Sequence, residues 1–168
     1  MAESLPIERL QPALLDRLTD HEPRNPQESR ERRVMSMRQL RAAVLRDLAF
    51  LLNSPAHPVD SEIHEYPLVA RSVINFGMPD LSGQTASAQR AAKLEALVRR
   101  AVELFEPRII PGTLRVSGVK AGEDAGSRQT VAFELTGDVC PLPVPDALYV
   151  RTQMDLESGR CELTDRPS

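Results

Sequence analysis

The densest chemistry in the sequence is Phe105-Glu106-Pro107-Arg108, where a carboxylate and a guanidinium flank a proline whose ring fixes its own backbone angle. In an extended segment, side chains two residues apart point the same way. Glu106 and Arg108 would then present a fixed carboxylate beside a fixed guanidinium. Such a pair has two uses: a local salt bridge that staples the junction, or recognition of a partner group. A second polar cluster, His57, Asp60, Glu62 and His64, has ligand-type side chains, but its spacing fits no familiar metal pattern and no second ligand pair accompanies it. It reads as an exposed polar loop. Cys140 and Cys161 lie too far apart for a disulfide framework or a zinc site of their own, and read as reduced, buried thiols. No nucleophile elbow, phosphate-cradling glycine loop, His-Glu metal helix or Cys-His pair occurs at usable spacing. Glycoside hydrolysis needs two acids held about 5 to 10 Å apart in a cleft, and every acidic residue here has a plain surface reading. No catalytic residue, cofactor or metal ligand is therefore assigned, and an enzyme is not expected.

The elements that must position the junction are marked by periodicity. Ser36 stands as an N-cap ahead of Met37, Leu40, Val44, Leu48 and Leu51, a stripe of three- and four-residue steps that predicts a helix, with Asn53-Ser54-Pro55 as its stop. Arg38, Arg41 and Arg46 fall off that stripe. Pro67 opens a short helix through Leu68, Val69, Val73 and Ile74, closed at Asn75-Phe76-Gly77 by a glycine in the left-handed cap conformation. Met78-Pro79-Asp80-Leu81 forces a turn, and after the small polar residues 82–87 a second long helix carries Leu94, Leu97, Val98, Ala101, Val102 and Phe105 on one face. Pro107 ends it by pushing Glu106 out of helical geometry.

The period then changes to two. Leu114 and Val116, then Val131, Phe133 and Leu135, then Leu148, Val150, Thr152 and Met154 alternate with their neighbours as half-buried strands. Residues 120–128, with Gly122 and Gly126, read as a flexible hairpin loop, and Glu157-Ser158-Gly159 turns the chain into a short last strand through Cys161 and Leu163. Helices first and strands second predict an α+β fold, with N-terminal helices packed on one face of a C-terminal antiparallel sheet of three to four strands.

With 168 residues, 41 % of them hydrophobic, the chain can build one compact core. Residues 1–35 are expected to form an N-terminal arm, partly disordered, with a short helix around Leu10, Leu14, Leu15 and Leu18. From 19 to 33 the apolar residues give way to Pro23, Pro26, Arg24, Arg30, Arg32 and Arg33, which cannot offset the entropy of ordering. Residues 36–168 are expected to form a single α+β domain. The net charge of -3, from 21 basic and 24 acidic residues, provides no footprint for a polyanion, so nucleic acid is not expected as a partner. No apolar run approaches the roughly 18 residues that cross a bilayer, and the opening Met1-Ala2-Glu3-Ser4 lacks the order of a signal peptide. The expectation is a soluble, cytoplasmic protein without direct membrane insertion.

Four stretches occur in order: residues 14–20, Leu-Leu-Asp-Arg-Leu-Thr-Asp; residues 46–53, Arg-Asp-Leu-Ala-Phe-Leu-Leu-Asn; residues 75–81, Asn-Phe-Gly-Met-Pro-Asp-Leu; and residues 105–108, Phe-Glu-Pro-Arg. Together they resemble the TssE family of type VI secretion baseplate subunits, related to the small wedge protein of contractile phage tails, over about residues 10–163. The resemblance implies a non-enzymatic assembly protein in a cytoplasmic baseplate docked at the inner membrane. Its implied partners are the wedge proteins TssF and TssG, with TssK nearby and the contractile sheath of TssB and TssC to be started. It further implies that Glu106, Pro107 and Arg108 bind the helical bundle of the wedge. The strand region resembles the sheath subunit's own fold, in which an exposed edge offers unpaired amides and carbonyls to an incoming strand. Two alternatives accompany this reading: a lysozyme-like peptidoglycan hydrolase, a label long carried by the phage relatives, and the equivalent wedge subunit of a phage tail or an extracellular contractile particle.

Overall fold

The computed structural model describes residues 12–19, 23–24, 35–58, 60–79, 88–119, 130–139, 146–155 and 158–165. The expectations for residues 1–11, for most of the arm, for residues 82–87, for the hairpin loop 120–128 and for Cys140 lie outside them. In chain order the elements are α1 (Leu14–Leu18), α2 (Met37–Asn53), α3 (Pro67–Ala70) and α4 (Ala88–Phe105), then β1 (Arg115–Val119), β2 (Thr130–Val139), β3 (Asp146–Asp155) and β4 (Cys161–Asp165).

Ser36 starts α2 as its side chain dictates. Its hydroxyl accepts from the Gln39 N–H, while the Gln39 side chain accepts from the Ser36 N–H at 2.8 Å, a reciprocal cap that satisfies two donors otherwise left over. The apolar stripe then buries Leu40, Val44, Leu48 and Leu51, and α4 buries Leu94, Val98, Ala101 and Val102. The strands form one antiparallel meander in the order β1-β2-β3-β4. One face of it, with Val116, Phe133, Leu135, Leu148, Val150 and Met154, closes the core against the helices. α4 packs along β1 and α2 along β4, so the two long helices cover opposite margins of one sheet face. This is the α+β arrangement predicted from the switch of period. Each fully buried leucine contributes roughly 1.5–3 kcal/mol, so the helix stripes are what hold the two layers together.

The segment between α2 and α4 departs from expectation in two ways. The helix opened by Pro67 lasts one turn, because Ser72 turns extended and its hydroxyl accepts from the Ile74 N–H at 3.3 Å, starting a separate 3-10 turn at Val73–Asn75. Leu68, Val73 and Ile74 do not form a buried face; they are 86 %, 80 % and 65 % exposed. Gly77 has φ +128 and lies beyond the turn, with Phe76 as the capping residue. Glycine is needed there for close approach: a Cβ would overlap the Ser54 carbonyl. That contact lets Met78 N–H donate to Ser54 O at 2.8 Å and Ala56 N–H donate to Met78 O at 2.9 Å.

Candidate functional site: an ion-paired junction

At the end of α4 the Glu106 N–H still donates to Val102 O, and the Ile109 N–H donates to Glu106 O at 3.2 Å. Residues 106–109 therefore close a turn around Pro107, where an extended segment was expected. The turn brings Glu106 and Arg108 face to face all the same. Arg108 Nε donates to Glu106 Oε1 at 2.6 Å, its Nη2 donates to Oε2, and its backbone N–H donates to Oε1 at 3.2 Å. Glu106 is buried, 3 % exposed, while Pro107 lies at the surface. A buried carboxylate is costly unless its lone pairs are satisfied, and this one is held by a forked guanidinium and an amide.

The pair does not stand alone. Arg108 Nη2 also donates to Asp47 Oδ2 on α2 at 2.6 Å, Asp47 Oδ1 accepts from Arg46 Nε at 2.9 Å, and Arg46 Nη1 donates to Asp16 Oδ1 on α1. Signs alternate from Glu106 through Arg108, Asp47 and Arg46 to Asp16, linking the α4 junction to α2 and α1. Burial alone would lower the Arg108 pKa, but hydrogen bonds and charge from Glu106, then from Asp47, outweigh it and raise the value above its ordinary one. For Arg46 the hydrogen bond it donates to Asp16 is the largest influence, with burial opposing it and Asp47 adding to the rise. Both guanidiniums stay charged throughout the range of pH in which the protein folds. At the α1 end the chain of bonds is incomplete. Asp16 Oδ2 is buried without a hydrogen bond, and Arg46 Nη2 lies 2.8 Å from Asp47 Oδ1 without the alignment of one. None of the α1 residues is buried, and Leu14, Leu15 and Leu18 are exposed. α1 is thus held to α2 by charge and not by core packing.

The sheet margins are the other predicted point of attachment, and helix side chains reach both. The Cys161 N–H donates to Asn53 Oδ1 and Cys161 O accepts from Asn53 Nδ2, each at 2.9 Å, so the end of α2 takes the place of a neighbouring strand at the start of β4. Arg41 grips the far end of β4 with two bonds to Asp165 and donates a third to Ala147 O on β3. On the opposite margin, Glu95 accepts from the Gly118 N–H and Arg99 donates to Val116 O at 3.5 Å.

The expected trio Glu106, Pro107 and Arg108 is therefore contiguous in space, and the local salt bridge foreseen as one of its two uses is formed. Sequence reasoning missed Asp16, Arg46 and Asp47 as members of the same assembly. The available signal was charge at helix positions off the apolar stripe, but that marks surface residues in general. His57 and His64 sit on the loop and 3-10 turn before α3; the His57 N–H donates to Asn75 Oδ1, and His64 Nε2 lies 3.0 Å from Pro58 O. Among the described residues no group of three or more His, Cys, Asp or Glu side chains is placed to hold a metal ion. Nor is any described helix long and apolar enough to cross a membrane.

Compared with known families, residues 38–140, more than half of the chain, match the model described as baseplate wedge protein gp25. No curated protein and no solved structure matches. The matched span holds α2, α3, α4, β1 and β2, and with them Asp47 and the whole Glu106-Pro107-Arg108 junction.

Proposed function

This chain belongs to the baseplate wedge protein gp25 family, of which TssE is the type VI secretion homologue, and from that membership we propose that it is the TssE-type subunit of a secretion baseplate. As a structural component of a phage-tail-type baseplate it works through interfaces. In the proposed setting it binds TssF and TssG, with TssK nearby, on the cytoplasmic side of the inner membrane, without catalysis, and helps start the TssB and TssC sheath.

The observation that carries the site assignment is the bracing of Arg108. Nε and Nη2 are committed to Glu106 and Asp47, while Nη1 makes no hydrogen bond among the described residues, and the side chain remains 23 % exposed. A guanidinium held on one edge and free on the other is pre-organised to take a carboxylate or backbone oxygens of a partner with little further loss of freedom. Lysine cannot replace it, because one ammonium cannot span Glu106 and Asp47 and still present donors outward. The sheath-starting role draws its support from the meander and from the open part of its margins. An incoming strand would pair beyond the positions that Asn53, Glu95 and Arg99 occupy, or displace them.

Arg108→Lys is expected to leave a folded monomer, by circular dichroism, that captures TssF and TssG at least tenfold less well; losing a desolvated charged contact costs about 2–5 kcal/mol. Capture undiminished by that change would remove Arg108 from the interface. Neighbouring genes for the sheath and the membrane complex separate this setting from the tail of a phage or an extracellular particle.

A further inference from the structure

We propose that the groove between the C-terminal half of α4 and residues 56–79 is a docking site for an acidic, apolar peptide segment of another protein. The groove encloses about 450 Å³, within the range of sites that hold a ligand. Its floor is apolar, with Ala70, Ala101, Leu104 and Phe105, and Phe105 is fixed edge-on against Phe76 at 5.3 Å and 66°. Around that floor stand His57, His64, Arg71 and Arg100, and none of the lining residues is a carboxylate. In a chain of net charge -3, that is a local segregation of charge.

The guanidiniums of Arg71 and Arg100 are exposed, and neither has a hydrogen bond or ion pair among the described residues. They differ in this from Arg41, Arg46 and Arg108, whose charges are matched by carboxylates inside the molecule. Two uncommitted forks at the rim of an apolar floor complement a segment that places carboxylates at the rim and an aliphatic or aromatic side chain below. Leu68, Val73 and Ile74, on the segment that forms one wall of the groove, are exposed apolar side chains as well.

Other anions fit less well. A free small anion would leave the apolar floor uncovered. A flat polyanionic surface, whether membrane or nucleic acid, would also face the exposed carboxylates Asp60, Glu62 and Glu65 carried by the same segment. The proposal does not depend on the secretion setting, and Arg108 is not among the lining residues.

Panning a random peptide display library against the full chain tests it. Enriched sequences should combine Asp or Glu with Leu, Ile, Met or Phe. Synthetic copies should bind in fluorescence anisotropy, more weakly at high salt, and Arg71→Glu/Arg100→Glu should weaken them at least about tenfold. Both side chains are exposed, so the double variant should keep the parent's thermal midpoint; Arg108→Lys should leave peptide binding unchanged. Enrichment without acidic residues, no enrichment, or binding indifferent to the double variant would overturn the proposal. So would binding of phosphatidylglycerol vesicles or of single-stranded RNA that the double variant abolishes, or self-association of the chain lost in the same variant.

Discussion

Glu106 and Arg108 show how a surface arginine becomes part of the fold: the buried carboxylate depends on the guanidinium beside it. Arg108→Ala leaves that carboxylate without its charged partner and is expected to cost about 3–5 kcal/mol, read as a lower urea midpoint. Arg108→Lys keeps a positive charge and should lose less. The two variants thus separate the structural use of the pair from its use in recognition. Cys161 reports burial in a different way. Its thiol is pushed by burial from the ordinary 9.0 up to about 12. Between those values the unfolded chain has released the proton and the folded one has kept it, so stability falls as pH rises, by at most about 1.4 kcal/mol per pH unit. In denaturant titrations across pH 9 to 11, Cys161→Ala should lose stability less steeply than the parent.

Among the elements, α2 has the widest reach. Its apolar stripe faces the core, while Arg41, Asp47 and Asn53 each hold a different part of the molecule: the ends of β3 and β4, the α4 junction, and the start of β4. Asn53→Ala would strand the Cys161 N–H and C=O at a buried residue. A loss of about 1–3 kcal/mol is expected in chemical unfolding, together with faster hydrogen exchange in β4. The one-turn α3 is the counter-example, a stretch with apolar text but no buried stripe. Helical spacing at Leu68, Val69, Val73 and Ile74 was legible, and the break at Ser72 was not, since a serine that competes for the backbone reads the same as one that faces solvent.

At the scale of the molecule, two long helices and a meander make the core, and α1 is attached to it through Asp16 and Arg46. Asp16→Ala is therefore expected to release α1, seen as loss of amide protection at Arg17 and Thr19, whose N–H groups donate to Ala13 O and Leu15 O, with the global unfolding free energy within about 0.5 kcal/mol of the parent. The order of elements, the caps of α2, the end of α4 at Pro107 and the meander were legible in the sequence, because backbone periodicity, capping and proline sterics act over a few residues. That Glu106 and Arg108 face each other was legible too, although through a turn and not an extended segment. What only the tertiary structure decided is which charges complete that pair. Asp47 lies 61 residues from Arg108, and Asp16 lies 30 residues from Arg46. Helix packing brings them together, and no local rule carries that distance. The same holds for Gly77, which any turn would accept, but which is required here because a distant carbonyl, that of Ser54, occupies the space a side chain would need.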